Sequence, residues 1–102
     1  MPPIDENIMA EFERAMEFYR MRKKDINIKD IEAQQKLIEV IEFIISPLLR
    51  IVLKTDFTPT IKDCIVKKLR EYQRRFYNED SYEHAIYKTY GRYIKEITGE
   101  KF

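Results

Sequence analysis

Residues 37–53 read LIEVIEFIISPLLRIVL, the most apolar run of the chain. At about 100° per residue, a helix over this run places most of its apolar side chains in one stripe. The stripe consists of Leu37, Ile38, Ile41, Ile44, Ile45, Leu48 and Val52. Val40, Phe43 and Leu53 fall outside it. A helix that is apolar nearly all round needs cover nearly all round, so we expect the other segments, or a partner, to wrap it.

Length and composition indicate one domain, spanning residues 1–102, with a modest core. The 19 basic and 18 acidic side chains give a net charge of +1, which favours no polyelectrolyte partner for the whole chain. A single cysteine, Cys64, excludes an internal disulfide and fits a reducing compartment. The apolar run is short for a membrane span and contains three charges, and residues 1–6 lack a signal-peptide layout. We therefore expect a soluble cytoplasmic protein that does not enter a membrane.

The distribution of helix formers predicts an all-α fold with four main helices. Only two glycines occur, and no stretch alternates as a strand does. Asp30 is a candidate N-cap, Thr58-Pro59-Thr60 is typical of a helix start, and Gly99 suits the position after a helix end. The predicted helices run from Asp5 or Glu6 to Lys23, from Asp30 through the apolar run, from Pro59 to Tyr77, and from Tyr82 to Thr98.

Pro47 interrupts the second helix. Proline has no N–H to donate and disfavours a helical conformation in the residue before it. Two alternatives follow: the helix kinks at Pro47, or it stops there and Ser46 caps a fresh short helix.

The first and third helices share a pattern at a shift of 57 residues, under which Pro2 meets Pro59 and Ile8 meets Ile65. The second and fourth helices match at a shift of 49, under which Ile41 meets Tyr90. These registers predict two similar helical hairpins, with repeat halves 1–55 and 56–102.

The chain resembles the small orphan all-helical proteins of filamentous viruses that infect hyperthermophilic archaea. The features that carry this resemblance are its length, its abundance of Lys, Glu, Ile and Tyr, its lone cysteine and its paired hairpins. The same bias in composition is typical of heat-adapted proteins. The resemblance implies a protein of the host cytoplasm that is not an enzyme.

Catalytic and cofactor-binding patterns are lacking. The only histidine, His84, has Ser81 three residues before it, so the Glu-x-x-His motif of di-iron bundles is absent. No glycine-rich phosphate loop occurs. We expect no enzyme activity, no metal site and no cofactor, with His84 on the surface of the fourth helix.

Apolar side chains outside the stripes favour a protein-binding module. Two packed hairpins leave a groove between them that suits a peptide or protein segment, and a second copy of the chain is the other occupant. The candidate partner-binding residues are Phe18, Met21, Val40, Phe43 and Tyr87.

The second half of the chain supplies an alternative, nucleic-acid binding. Residues 57–102 carry 10 basic and 7 acidic groups, and six of the seven tyrosines lie between Tyr72 and Tyr93. The candidate contacts with nucleic acid are Lys67, Arg70 and Arg74. Most of the six tyrosines fall on apolar stripes, so packing in the core also explains them.

Overall fold

The computed structural model describes residues 4–78 and 81–99, in which all regular secondary structure is helical. The four helices are α1 (Ile4–Asp25), α2 (Ile31–Lys54), α3 (Pro59–Arg74) and α4 (His84–Thr98). The prediction of an all-α fold with four main helices is confirmed.

Local signals set several helix ends. The Asp30 side chain accepts a hydrogen bond from the backbone N–H of Ala33 at 3.0 Å, which satisfies one free donor of the first turn of α2. Thr58 does the same for Ile61 at 3.5 Å, and Pro59 takes the first position of α3, where no donor is needed. Gly99 ends α4 with a φ of 72°, in the left-handed region that glycine adopts without strain.

The connection between α3 and α4 differs from the prediction. The α3 helix ends at Arg74, three residues early, and α4 begins at His84, two residues late. Backbone bonds over three residues, such as His84 N to Ser81 O at 3.1 Å, tighten this region into turns. Tyr82 therefore precedes α4 and is 44% exposed, so its assignment to an apolar stripe is wrong. Glu79 and Asp80 of the predicted turn lie outside the described residues.

The α2 helix is continuous through Pro47, so the alternative of two separate helices is wrong. Pro47 deprives the Phe43 carbonyl of its usual helical donor. Both residues lie on the exposed side of α2, where a carbonyl without its helical donor costs less free energy than in the core. A bend of the axis at Pro47 stays a prediction.

One core joins all four helices. Helices α1 and α2 pack as one hairpin, α3 and α4 as the other, and α2 packs against α4, while α1 and α3 approach each other more sparingly. The fully covered side chains include Phe12, Ile41, Ile45, Leu49, Ile65, Leu69, Tyr72, Ile86, Tyr90 and Ile94.

Aromatic rings occupy the centre of this core. The Phe12 ring of α1 lies 6.1 Å from Tyr72 and 6.3 Å from Tyr90, centroid to centroid, so it links α1 to both helices of the second hairpin. Tyr19 and Phe76 meet at 5.0 Å and extend the cluster. Aromatic packing, which favours centroid distances of about 4.5–7 Å, thus joins the two hairpins.

The other described helices cover α2 only in part, so of the two expected forms of cover, the rest of the chain or a partner, the first is incomplete within the described residues. Within the described residues α2 packs against α1 and α4 and not against α3. Leu53 is half-buried against the core, whereas Val40 and Phe43 remain exposed. Leu49, outside the predicted stripe, is fully buried. Among the described residues, α1 and α4 therefore cover only part of the surface of α2.

The internal repeat stays a prediction. Ile8 and Ile65 are both buried, as are Ile41 and Tyr90. Tyr19 is only half-buried where its counterpart Phe76 is buried. The test is superposition of residues 4–50 on 61–99, and hairpins that differ in angle or handedness would contradict the repeat.

Candidate functional site

A row of apolar side chains is exposed along α2. Val40, Phe43, Pro47 and Ile51 recur at spacings of three or four residues, so they lie on one side of the helix; we name them the α2 stripe. The exposed fraction is 82% for Phe43, 47% for Ile51 and 43% for Val40. Single exposed apolar residues are ordinary, but a contiguous row typically marks an interaction surface.

The first helix borders the α2 stripe on one side. A groove of about 310 Å³ between the two helices is lined by Asn7, Ile8, Ala10, Glu11, Arg14, Leu48 and Ile51. Ile51 belongs to both the groove and the α2 stripe. Phe18 follows Arg14 by four residues and Glu11 by seven, so helical spacing puts it on the same side of α1.

Phe18 and Met21 extend the exposed apolar surface onto α1. Phe18 is 37% exposed, and the guanidinium carbon of Arg22 lies 5.3 Å from its ring centroid. Met21 is 55% exposed. Four of the five predicted partner-binding residues, Phe18, Met21, Val40 and Phe43, are therefore accessible.

Tyr87, the fifth predicted residue, belongs to a different place. It is half-buried in the α3–α4 hairpin, where its ring stacks on His84 at 5.2 Å and meets Tyr77 edge-on at 5.1 Å. Its backbone carbonyl accepts a hydrogen bond from the Gln73 side chain. His84 is likewise half-buried, so its expected surface position is wrong.

A groove does lie between the two hairpins, where α1 passes α3, with a volume of about 490 Å³. Its lining consists of Glu13, Met16, Glu17, Tyr19, Arg20, Lys23, Lys24, Arg75 and Phe76. None of the predicted partner-binding residues is among them. Met16 and Phe76 are only 5% and 2% exposed, so these two apolar side chains offer an incoming chain little surface.

Charged side chains on the rim of this groove already have partners within the chain. The Tyr72 hydroxyl donates to the Glu13 carboxylate, and Arg20 donates to Glu17. The bond from Arg20 lowers the pKa of Glu17. Burial, and then the bond to Glu13, raise the pKa of Tyr72.

The basic residues of the alternative lie on the outward side of α3. Lys67 and Arg74 are exposed, and Arg70 is half-exposed. Spacings of three and four residues place the three on one side of the helix. Neither Lys67 nor Arg74 forms an ion pair with a described residue.

Metal ligands do not cluster in residues 4–78 and 81–99, which contain no group of three or more His, Cys, Asp or Glu side chains placed around a common point. Cys64 is a free, exposed thiol. None of the helices in this described part of the chain has the length and apolar character needed to cross a membrane.

Two members of the α2 stripe, Pro47 and Ile51, were missed by the sequence analysis. Their signal was present, since Phe43, Pro47 and Ile51 follow one another at intervals of four. The apolar character of neighbouring Leu48, Leu49 and Val52 masked it. Only packing separates the members of such a run that are covered from those that are not.

Comparison of the chain with family models, curated proteins and solved structures finds no match. The resemblance to proteins of archaeal filamentous viruses therefore stays a prediction. A function has to be argued from the surface of the chain itself.

Proposed function

We propose that this protein is a non-catalytic protein-interaction module, and that it binds its partner through the α2 stripe and the adjoining side of α1. The observation that carries the proposal is the 82% exposure of Phe43 in the middle of an apolar row. Burying a side chain of this size in an interface contributes roughly 1.5–3 kcal/mol. Aromatic anchors of this kind dominate the binding free energy of many interfaces.

The α2 stripe is a better binding surface than the groove between the hairpins. Met16 and Phe76 of that groove are covered by the protein's own core, whereas Val40, Phe43 and Ile51 are open to solvent. A ligand gains free energy only from surface that is exposed before it binds. The proposed site therefore lies on the outside of the first hairpin instead of between the hairpins.

A cytoplasmic location, in a host cell if the chain is viral, is part of the proposal. The free thiol of Cys64 supports it, since exposed unpaired cysteines suit a reducing compartment.

Site-specific photocross-linking tests the proposal. A benzophenone side chain replaces Phe43 in the cells that make the protein, and the matched control carries it at Gln35, an exposed position on another side of α2. We expect covalent protein adducts from position 43 and none from position 35. If position 43 yields no adduct, or both positions yield the same ones, the α2 stripe is not a binding surface.

Nucleic-acid binding is the second candidate. The observation that favours it is the alignment of Lys67, Arg70 and Arg74 on the outward side of α3, with Lys67 and Arg74 free of ion pairs in the described part of the chain. Such side chains suit phosphate contacts.

A further inference from the structure

We propose that the partner on the α2 stripe is a second copy of this chain, with the two α2 helices packed antiparallel around a two-fold axis. This inference rests on the proposed function, since it names the occupant of the same surface. Three observations carry it: the symmetry of the stripe, the charges beside it and the division of charge along α2.

The α2 stripe is compatible with its own reversal. Its end members, Val40 and Ile51, lie equally far from a midpoint between residues 45 and 46, and Phe43 and Pro47 lie near that midpoint on either side. A two-fold axis at this level places Val40 of one copy opposite Ile51 of the other. It also brings Phe43 onto the Pro47 region of the second copy. A two-fold interface requires such self-complementarity.

One pair of charges beside the stripe obeys the same symmetry. Glu39 directly precedes Val40, and Arg50 directly precedes Ile51. Because they are 11 residues, or about three turns, apart, they lie on nearly the same side of α2. A two-fold axis perpendicular to both helices leaves this side of each α2 helix facing in the same direction. It therefore places Glu39 of one copy beside Arg50 of the other, within about 3 Å along the helix axis at 1.5 Å rise per residue.

Both of these charges are available for such a contact. Glu39 and Arg50 are exposed, and neither forms an ion pair within the described residues. Arg50 donates a long hydrogen bond, 3.4 Å, to the Ser46 carbonyl of its own helix. Every antiparallel dimer would contain the Glu39–Arg50 contact twice.

The overall charge of α2 favours the antiparallel orientation. From Ile31 to Phe43 the helix carries three glutamates and one lysine, whereas from Ile44 to Lys54 it carries Arg50 and Lys54 and no acid. The two halves thus have net charges of −2 and +2. Antiparallel packing brings opposite charges together, and parallel packing brings like charges together. Lys36, nearest to Lys54 of the second copy, is already paired with Glu32 at 3.4 Å.

The α1 helix of each copy enlarges the interface. Because α1 returns antiparallel to α2, Phe18 lies towards the Val40 end of the α2 stripe, and the groove beside Ile51 lies at the other end. Reversal of the second copy brings its Ile51 end to the Phe18 end of the first. A stable interface buries about 1,200–2,000 Å² in total, so the α1 flanks would have to contribute beside the α2 stripe.

Charge reversal with mutual rescue tests this arrangement in the full chain. Analytical ultracentrifugation across a concentration series should give twice the chain mass of 12.5 kDa for the wild type at micromolar concentration. Phe43→Asp should be monomeric. Glu39→Arg and Arg50→Glu alone should each weaken dimerisation about ten-fold or more, and the double variant should recover most of the loss. Lys67→Glu, on the outward side of α3, is the matched control and should leave the mass unchanged.

The outcomes separate the inference from the proposed function. A wild type that stays monomeric at 100 µM overturns the homodimer. If benzophenone at position 43 then still yields adducts with another protein, the interaction module stands with a foreign partner. If it yields none, both proposals fall. A dimer that the double charge reversal does not restore, with circular dichroism showing the variants folded, overturns the antiparallel arrangement.

Discussion

The hydroxyl of Tyr72 on α3 donates a hydrogen bond to the carboxylate of Glu13 on α1, and this bond spans the boundary between the two hairpins. The Tyr72 ring is 1% exposed and stacks on Phe12 of α1, while Glu13 lies at the surface. The same two helices approach each other more sparingly than the other packed pairs. Contacts at Tyr72 therefore contribute much of what holds α1 to α3.

Removal of this bond should destabilise the protein moderately. Tyr72→Phe keeps the ring and loses only the hydroxyl, so we expect the free energy of unfolding to fall by about 0.5–1.5 kcal/mol. Urea denaturation measures it. Combined with Glu13→Ala, which removes the acceptor, the double variant should lose less than the sum of the single losses. Strict additivity would show that the bond contributes nothing.

Ile41 should be among the most sensitive core positions. It is 0% exposed at the centre of α2, so Ile41→Ala leaves a cavity and should cost roughly 2–5 kcal/mol. Val40→Ala, next to it but 43% exposed, is the control and should change the stability of the monomer by less than about 0.5 kcal/mol. A denaturant midpoint unaffected by Ile41→Ala would contradict the central place of α2 in the core.

Pro47 should reduce the stability of α2. Proline inside a helix costs up to about 3 kcal/mol relative to alanine, although its rigidity also restricts the unfolded chain. Since Pro47 is exposed within a continuous helix, Pro47→Ala should raise the free energy of unfolding of the monomer by about 1–2 kcal/mol. Thermal denaturation at protein concentrations too low for dimerisation checks this. A lower melting temperature would mean that the helix depends on the proline.

Alkaline pH should destabilise the fold through its buried tyrosines. Burial raises the pKa of Tyr90 and of Tyr72 above the value of about 10 found in unfolded chains. A raised folded-state pKa gives stability that is complete below pH ~10 and is lost above it, because the unfolded chain releases protons that the fold retains. The expected slope is about 1.4 kcal/mol per pH unit for each such tyrosine.

Tyr90→Phe identifies the residue responsible for part of this slope. It is 0% exposed, and its hydroxyl donates to the Met16 sulfur at 3.8 Å. Urea midpoints from pH 8 to 11 should fall less steeply for the variant than for the wild type. Parallel curves would contradict a role for Tyr90.

Binding of nucleic acid, if the second candidate function holds, should depend steeply on salt. Counterion release lowers affinity as the salt concentration rises, with a slope set by the number of phosphate contacts. Mobility shifts with duplex and single strands at low salt measure it, and reversal of charge at Lys67, Arg70 and Arg74 should abolish them. Reversal at Lys36, on α2, is the control. No shift at micromolar protein would remove this candidate.

The local features of the fold follow from the amino-acid sequence alone. Asp30, Thr58-Pro59 and Gly99 marked helix ends because capping and left-handed glycine depend on a few neighbouring residues. Most of the core was predictable for the same reason. Ile41, Leu69 and Ile94, all buried, recur at the helical period with other apolar residues.

Which apolar surface stays exposed depends on how the helices pack. The α2 helix is apolar on more than one side, and periodicity cannot tell which side meets another helix. Leu49 is buried and Phe43 is exposed because α1 and α4 pack on one part of α2 and α3 does not reach it. Tyr87 and Phe43 looked equivalent as apolar residues in helices, but they lie in different places. That separation depends on the packing of helices that are distant in the chain, which no local spacing encodes.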